Sequence, residues 1–178
     1  SAGGNGGTIV GNAKWQPAGG QIGGALEFDG STYVRIDNET AFDITGEITV
    51  AAWVKVRTFD KKWQTIIAKG DNTWRLAREG NRNSVQFTAG RVDDDRIVLG
   101  NVDINDGQWH HIVGVGDANA VSLYVDGVLD DIKRAPGGMT PDDEPVYIGE
   151  NSVQPARGRF WNGWIDDVCV FNYALDAN

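Results

Sequence analysis

From Ile48 to Val56 the chain places an apolar residue at every second position, with Thr49, Ala51, Trp53 and Lys55 between Ile48, Val50, Ala52, Val54 and Val56. A period of two marks a strand with one face in a core and the other partly wet, because successive side chains on an extended backbone point to opposite sides. Such a strand buries its apolar face only if a second layer packs on it. Shorter runs repeat the theme at 25–28, 33–36, 64–68, 73–77, 85–88, 96–99, 110–115, 121–125, 146–148 and 165–171, separated by Gly, Asn and Asp clusters. Asp126-Gly127, between Leu123-Tyr124-Val125 and Val128-Leu129, predicts a type I′ hairpin, whose two central residues must both tolerate positive φ. No long stretch carries a helical period. The 24 Gly, with seven Trp, six Phe and four Tyr, favour pleated strands and tight turns over helices. The expected fold is all-β, a two-sheet antiparallel jelly-roll sandwich.

At 178 residues the chain suits one domain, 1–178, and can bury a core without disulfides or zinc. Residues 1–24 are Gly-rich, with Trp15 and Ile22 as their large anchors, and read as a loop-like lead-in. A start at Ser1-Ala2-Gly3-Gly4, with no initiating Met and no targeting segment, predicts a domain excised from a longer protein. No run approaches the ~20 apolar residues that span a bilayer, so membrane insertion is not expected. Cys169 has no second cysteine to pair with and, between Val168 and Val170, reads as a packed strand thiol. A net charge of -9 argues against nucleic acid as a partner. The charge is uneven, however: from Lys55 to Arg96 ten Lys or Arg stand against six acids.

Four segments, taken together and in this order, resemble the laminin G-like, concanavalin A-like jelly-roll domains of bacterial surface and carbohydrate-active proteins. They are Gly24-Ala25-Leu26-Glu27-Phe28-Asp29-Gly30 with Tyr33-Val34; residues 48–54; Trp109-His110-His111-Ile112 with Leu123-Tyr124-Val125-Asp126-Gly127; and residues 160–168. The resemblance implies two curved sheets whose concave side receives saccharides, and an accessory role at the cell surface or outside the cell, beside other domains of a larger parent protein. Relatives usually carry one more strand upstream, which this chain begins too late to contain.

The glycoside hydrolases of this superfold use close paired carboxylates on one strand, and no Glu-x-Asp-x-x-Glu pattern occurs here. Asp93-Asp94-Asp95 and Asp142-Asp143-Glu144 lie in polar, turn-like stretches that suit solvated loop acids. His110 and His111 are adjacent on a strand and point to opposite faces, so at most one faces a cleft. For metal, the resemblance implies a structural calcium at the corner where first and last strands meet, and it designates Asp29 and Asp166. Carboxylates and turn carbonyls are the donors a hard cation takes, while the competing reading has both acids capping turns.

Sugars are held by aromatic faces against C–H surfaces and by planar polar groups at hydroxyls. Trp63, Trp74 and Trp161 sit in polar or loop-flanked surroundings, whereas Trp53 and Trp109 suit a core. Around the first group stand Lys69, Arg75, Arg78, Gln86, Glu150, Asn151, Arg157 and Arg159. The carbohydrate-binding candidates are therefore Trp63, Lys69, Trp74, Arg75, Arg78, Asn151 and Trp161. The leading expectation is a non-catalytic extracellular module for a polysaccharide or glycan, with the cationic excess of 55–96 pointing to an anionic one. A structural or protein-interaction domain without a sugar site is the alternative, and a glycoside hydrolase or lyase comes third.

Overall fold

A computed structural model describes residues 4–90, 95–153 and 158–176. Two antiparallel sheets of seven strands pack face to face. The first runs in the order β1 (Thr8–Val10), β4 (Tyr33–Ile36), β13 (Val146–Ile148), β6 (Thr65–Lys69), β7 (Trp74–Arg78), β8 (Val85–Ala89) and β9 (Ile97–Leu99). The second runs β12 (Val128–Arg134), β11 (Ala120–Val125), β10 (Trp109–Gly116), β5 (Ile48–Val56), β14 (Asn162–Phe171), β3 (Ala25–Asp29) and β2 (Lys14–Gln16). Among the described residues the one helical piece is a 3₁₀ turn, Glu39–Phe42.

The period of two places β5 at the centre of its sheet, between β10 and β14. Ile48, Val50, Ala52, Val54 and Val56 all enter the core. Val125 is buried as well, and Ile148 packs half-buried against the same cluster. Asp126 (φ 53°) and Gly127 (φ 79°) form the expected left-handed pair at the tip of the β11–β12 hairpin. Between the sheets, the Phe87 ring on β8 lies over Gly114 on β10, so closely that a Cβ there would stand 2.2 Å from a ring carbon.

Three expectations are corrected. The lead-in is not all loop: β1 pairs with β4 and β2 with β3, giving each sheet a three-residue edge strand too short to show a period. Cys169 is exposed. A bulge between Asp166 and Cys169, with Asp167 left-handed at φ 45°, shifts the alternation of β14 by one, so Ile165 faces the core before it and Val168 and Val170 after it. Trp53 and Trp109 lie half-buried outside the core, on the strand face opposite Val54 and Ile112. The two histidines do part: His111 packs on Trp53, ring centroids 4.9 Å apart, while His110 sits between Asp126 (2.8 Å) and Asp106 (3.1 Å).

Candidate functional site

On β7 and β8, Trp74, Leu76, Val85, Phe87 and Ala89 face the core, so Arg75, Ala77, Gln86 and Thr88 must point to the sheet's other side. Register aligns Tyr147, Ala68, Arg75 and Thr88 as one row across four strands of that outer face. All four are buried, although they lie outside the core cluster.

Asp71, in the turn between β6 and β7, organises the polar part of this face. Its Oδ1 accepts from Arg75 Nη1, from Arg159 Nη1 at 2.7 Å and from Asn151 Nδ2 at 2.8 Å. Asn151 in turn donates its backbone N–H to Glu150 Oε1 at 2.8 Å and accepts the Val153 N–H on Oδ1 at 3.0 Å. Desolvation works to raise Asp71, but the charges of Arg75 and Arg159 and the hydrogen bonds from Arg159 and Asn151 hold its carboxyl below the ordinary value. Burial lowers Arg75 despite the Asp71 charge. Glu150 is fully buried, and desolvation pushes it up to about 7, against the opposing pull of the Asn151 and Arg159 N–H groups and of the Arg159 and Lys61 charges.

Several atoms of this cluster are buried without a partner: the donors Arg75 Nε and Arg159 Nε, the acceptor Glu150 Oε2, and the Thr88 and Ser152 hydroxyls. An unmet buried polar group costs roughly 1–3 kcal/mol, so such a concentration is expected where water or a ligand completes the bonding. The rim is aromatic. Trp63, left-handed at φ 54° and 38% exposed, stacks with Arg159, whose Cζ lies 5.6 Å from the ring centroid. Lys61 Nζ lies 5.2 Å from the Phe160 ring, and Tyr33 stacks on Tyr147 at 4.6 Å. Donors and acceptors held together near an exposed aromatic ring suit a hydroxylated ligand, whose hydroxyls both give and take hydrogen bonds.

Of the residues selected from sequence, Trp63, Arg75 and Asn151 converge here, joined through Asp71 and Arg159. Four others do not. Trp74 and Trp161 are completely buried core residues; on β7 the polar neighbours of Trp74 point to the opposite sheet face. Lys69 is sealed at the core end of β6, where its ammonium bonds Glu39 (2.6 Å), Asp43 (3.1 Å) and the Glu144 carbonyl (2.9 Å), and so anchors the 3₁₀ turn. Arg78 donates to the backbone carbonyls of Lys61, Asn81 and Arg82 at 2.6–2.7 Å, clamping two loops. Arg157 and Asp93-Asp94 lie outside the described residues. Asp71, Thr88, Ser152, Tyr33, Tyr147 and Phe160 are not among the binding candidates selected from sequence, although Tyr33 and Phe160 lie in the family-like segments; the one signal for Asp71 is its place four positions before Arg75.

Asp29 and Asp166 stay apart. Asp29 pairs with Asn162, whereas Asp166 lies four residues further along β14, past the last β3 partner, which puts them roughly 13 Å apart along the sheet. Asp29 Oδ1 accepts from the Ser31 N–H (2.9 Å), the Ser31 hydroxyl (2.8 Å) and the Thr32 hydroxyl (2.7 Å). Asp166 accepts the Ile22 and Asp167 N–H groups. Both cap local backbone, and together they do not fit the shared oxygen shell of a calcium ion. Among the described residues no group of three or more His, Cys, Asp or Glu is placed to hold a metal.

Residues 28–178 match the model of the concanavalin A-like lectin/glucanases superfamily. Calsyntenin-1 of Rattus norvegicus is 26% identical over 150 residues, 78% of this chain but 15% of that protein, and calsyntenin-1 of Mus musculus is 26% identical over 148 residues. Domain 4 of AbnA, a GH43 extracellular arabinanase of Geobacillus stearothermophilus solved with arabinotriose, superposes with a TM-score of 0.77 at 24% identity, covering 99% of this chain and 87% of that one. The binding domain of Paraclostridial Mosquitocidal Protein 1 superposes at 0.74 and 13% identity, covering 98% of this chain and 46% of that one. At these identities the superpositions establish the shared fold.

Proposed function

The chain belongs to the concanavalin A-like lectin/glucanase superfamily, and on that premise we propose that it is a non-catalytic carbohydrate-binding module of an extracellular protein, taking its glycan on the outer face of the first sheet. The observation that carries this reading is the exposed ring of Trp63 beside the Arg159 guanidinium, which Asp71 holds together with Arg75 and Asn151. A pyranose or furanose laid on Trp63 presents C–H bonds to the indole and hydroxyls to the edge of the Arg159 and Asp71 cluster. The absence of catalysis is supported by Asp71, whose one carboxylate oxygen already takes three donors and whose proton affinity is depressed, leaving Glu150 without a second carboxyl free to act as nucleophile or base.

Among the described residues, the cations of 55–96 do not form one open patch. Lys69 is bound by Glu39 and Asp43, Arg75 by Asp71, Arg57 by Glu27, and Arg78 by carbonyls. Asp71 and Glu150 stand beside Arg75 and Arg159, while Lys61 and Lys62 lie near the Phe160 and Trp63 rings, so the site keeps a cationic margin that suits an anionic glycan as well as a neutral one. Arabinotriose, the ligand of the AbnA domain, is the first probe, followed by neutral, uronic and sulfated oligosaccharides in calorimetric titration. Binding to any of these oligosaccharides, weakened about tenfold or more in Trp63→Ala and in Arg159→Gln, supports the reading. Absence of binding to the whole panel by the folded protein, or binding that neither substitution affects, overturns it.

A protein-interaction reading rests on a separate observation. The edge strand β12 exposes Val128 (69%), Leu129 (46%) and Ile132 (55%), an apolar edge of the kind other chains pair with. Concentration-dependent sedimentation, abolished by Ile132→Lys, would favour it.

A further inference from the structure

A cavity of about 410 Å³ opens between the two sheets on the side of the sandwich away from the Asp71 cluster's outer face. Its walls are Leu26 and Ile165 from the second sheet and Val34 and Ile148 from the first, with Phe28 at its base. The gap has a local cause. The β3–β14 ladder stops at Leu26 and Ile165, and the bulge with left-handed Asp167 then carries β14 off its regular course, leaving Val168 as the β14 side chain that lines the space beyond. The segment that crosses there is held by the Ile22 N–H on Asp166 Oδ2 at 3.0 Å and by Trp15 lying flat on Gly24, where a Cβ would come within 2.3 Å of the indole.

Two features separate this cavity from an ordinary packing defect. Its mouth is rimmed by Trp15 and Ile22, which hold 63% and 64% of their surface in water at an obvious cost. Its charged lining is acidic: the buried Asp166 and the exposed Asp167 line it, and among the described residues no Lys, Arg or His does. Apolar walls, an open aromatic rim and a volume in the range of small-molecule pockets suit a ligand with an apolar body. The two carboxylates disfavour an anionic head on it.

We propose that this inter-sheet cavity is a second binding site, for a small amphiphile with an apolar body and an uncharged or cationic head. It is independent of the glycan site, since the two share no residue. The test is titration of the intact chain with the uncharged fluorophore N-phenyl-1-naphthylamine, followed by competition with alkyl trimethylammonium and alkyl sulfate of equal chain length below their micellar concentrations.

Saturable fluorescence is expected, displaced by the ammonium amphiphile at concentrations about tenfold below those the sulfate requires. Ile148→Trp, which fills the cavity, and Trp15→Ala, which strips the rim, should each weaken fluorophore binding about tenfold while leaving any arabinotriose binding unchanged. Asp167→Asn, tolerated at positive φ, should narrow the preference for the cationic head. No saturable signal from the folded chain overturns the proposal, as does fluorophore binding that is unaltered in Trp15→Ala. Trp15 is exposed on an edge strand, so that variant keeps its fold even if Ile148→Trp does not. A preference for the sulfate head would overturn the assignment of ligand class.

Discussion

Asn151 donates from Nδ2 to Asp71 Oδ1 across 2.8 Å, tying the loop after β13 to the turn between β6 and β7, eighty positions away in sequence. The same oxygen takes Arg75 and Arg159, so one carboxylate fixes two guanidinium groups and the loop that presents Glu150. Removing a single partner from such a network leaves the others buried and uncompensated.

Asp71→Ala is therefore expected to cost about 3 kcal/mol, the low end for a broken buried ion pair because the Asp71 side chain keeps 18% of its exposure. Urea unfolding measures the loss. An effect below about 0.5 kcal/mol would mean that the network is a surface arrangement without energetic weight.

The tryptophans separate into two classes. Trp74→Ala empties a fully buried core position and should cost about 3–5 kcal/mol. Trp63→Ala, at a ring 38% exposed, should leave stability nearly unchanged while weakening glycan binding. Paired unfolding and binding measurements on the two variants test the division between core and rim.

Glu150 predicts a pH dependence of definite sign. Its carboxyl titrates at about 7 in the folded chain against 4.5 for the free group, so the folded state holds its proton longer and stability falls as pH rises from about 4.5 to about 7. Glu150→Gln should remove that slope, matching the parent near pH 4 and exceeding it at pH 8 by up to about 3 kcal/mol. The comparison of variant with parent cancels the other titrating groups, and equal stability at pH 8 would refute the assignment.

His110 carries the opposite chemistry with the same slope. Burial pulls its imidazole down, but hydrogen bonds to Asp126 and Asp106, and then their charges, carry it above 6.5. Its stabilisation is complete below 6.5 and is lost as pH rises through the raised value. In Asp126→Asn, which keeps the left-handed hairpin position, an NMR titration should find His110 shifted down.

Gly114→Ala should cost about 1–3 kcal/mol through overpacking, since the new methyl meets the Phe87 ring within 2.2 Å. Part of the loss should return in a Phe87→Leu background, measured by the same urea curves.

The strand face of Ile48 to Val56, the Asp126-Gly127 hairpin and most strand positions followed from local rules, because alternation and turn chemistry are properties of neighbouring residues. Arg75, Asn151 and Trp63 were also identifiable as polar or aromatic groups in strand and loop surroundings. What local rules could not say was which sheet face each residue joined. Trp74 and Trp161 entered the core, while Trp53 and Trp109 stayed outside it. The parity of β14 turned on a bulge at Asp167 that no local pattern announces. Asp71 met Asn151 and Arg159 only because the order β13-β6-β7 sets the connection after β13 beside the β6–β7 turn. Alternation within strands is decided between adjacent residues and so is written in the sequence. Convergence of distant carboxylate and guanidinium groups is decided by strand order and by the low dielectric of the packed face, and these exist only once both sheets have closed on each other.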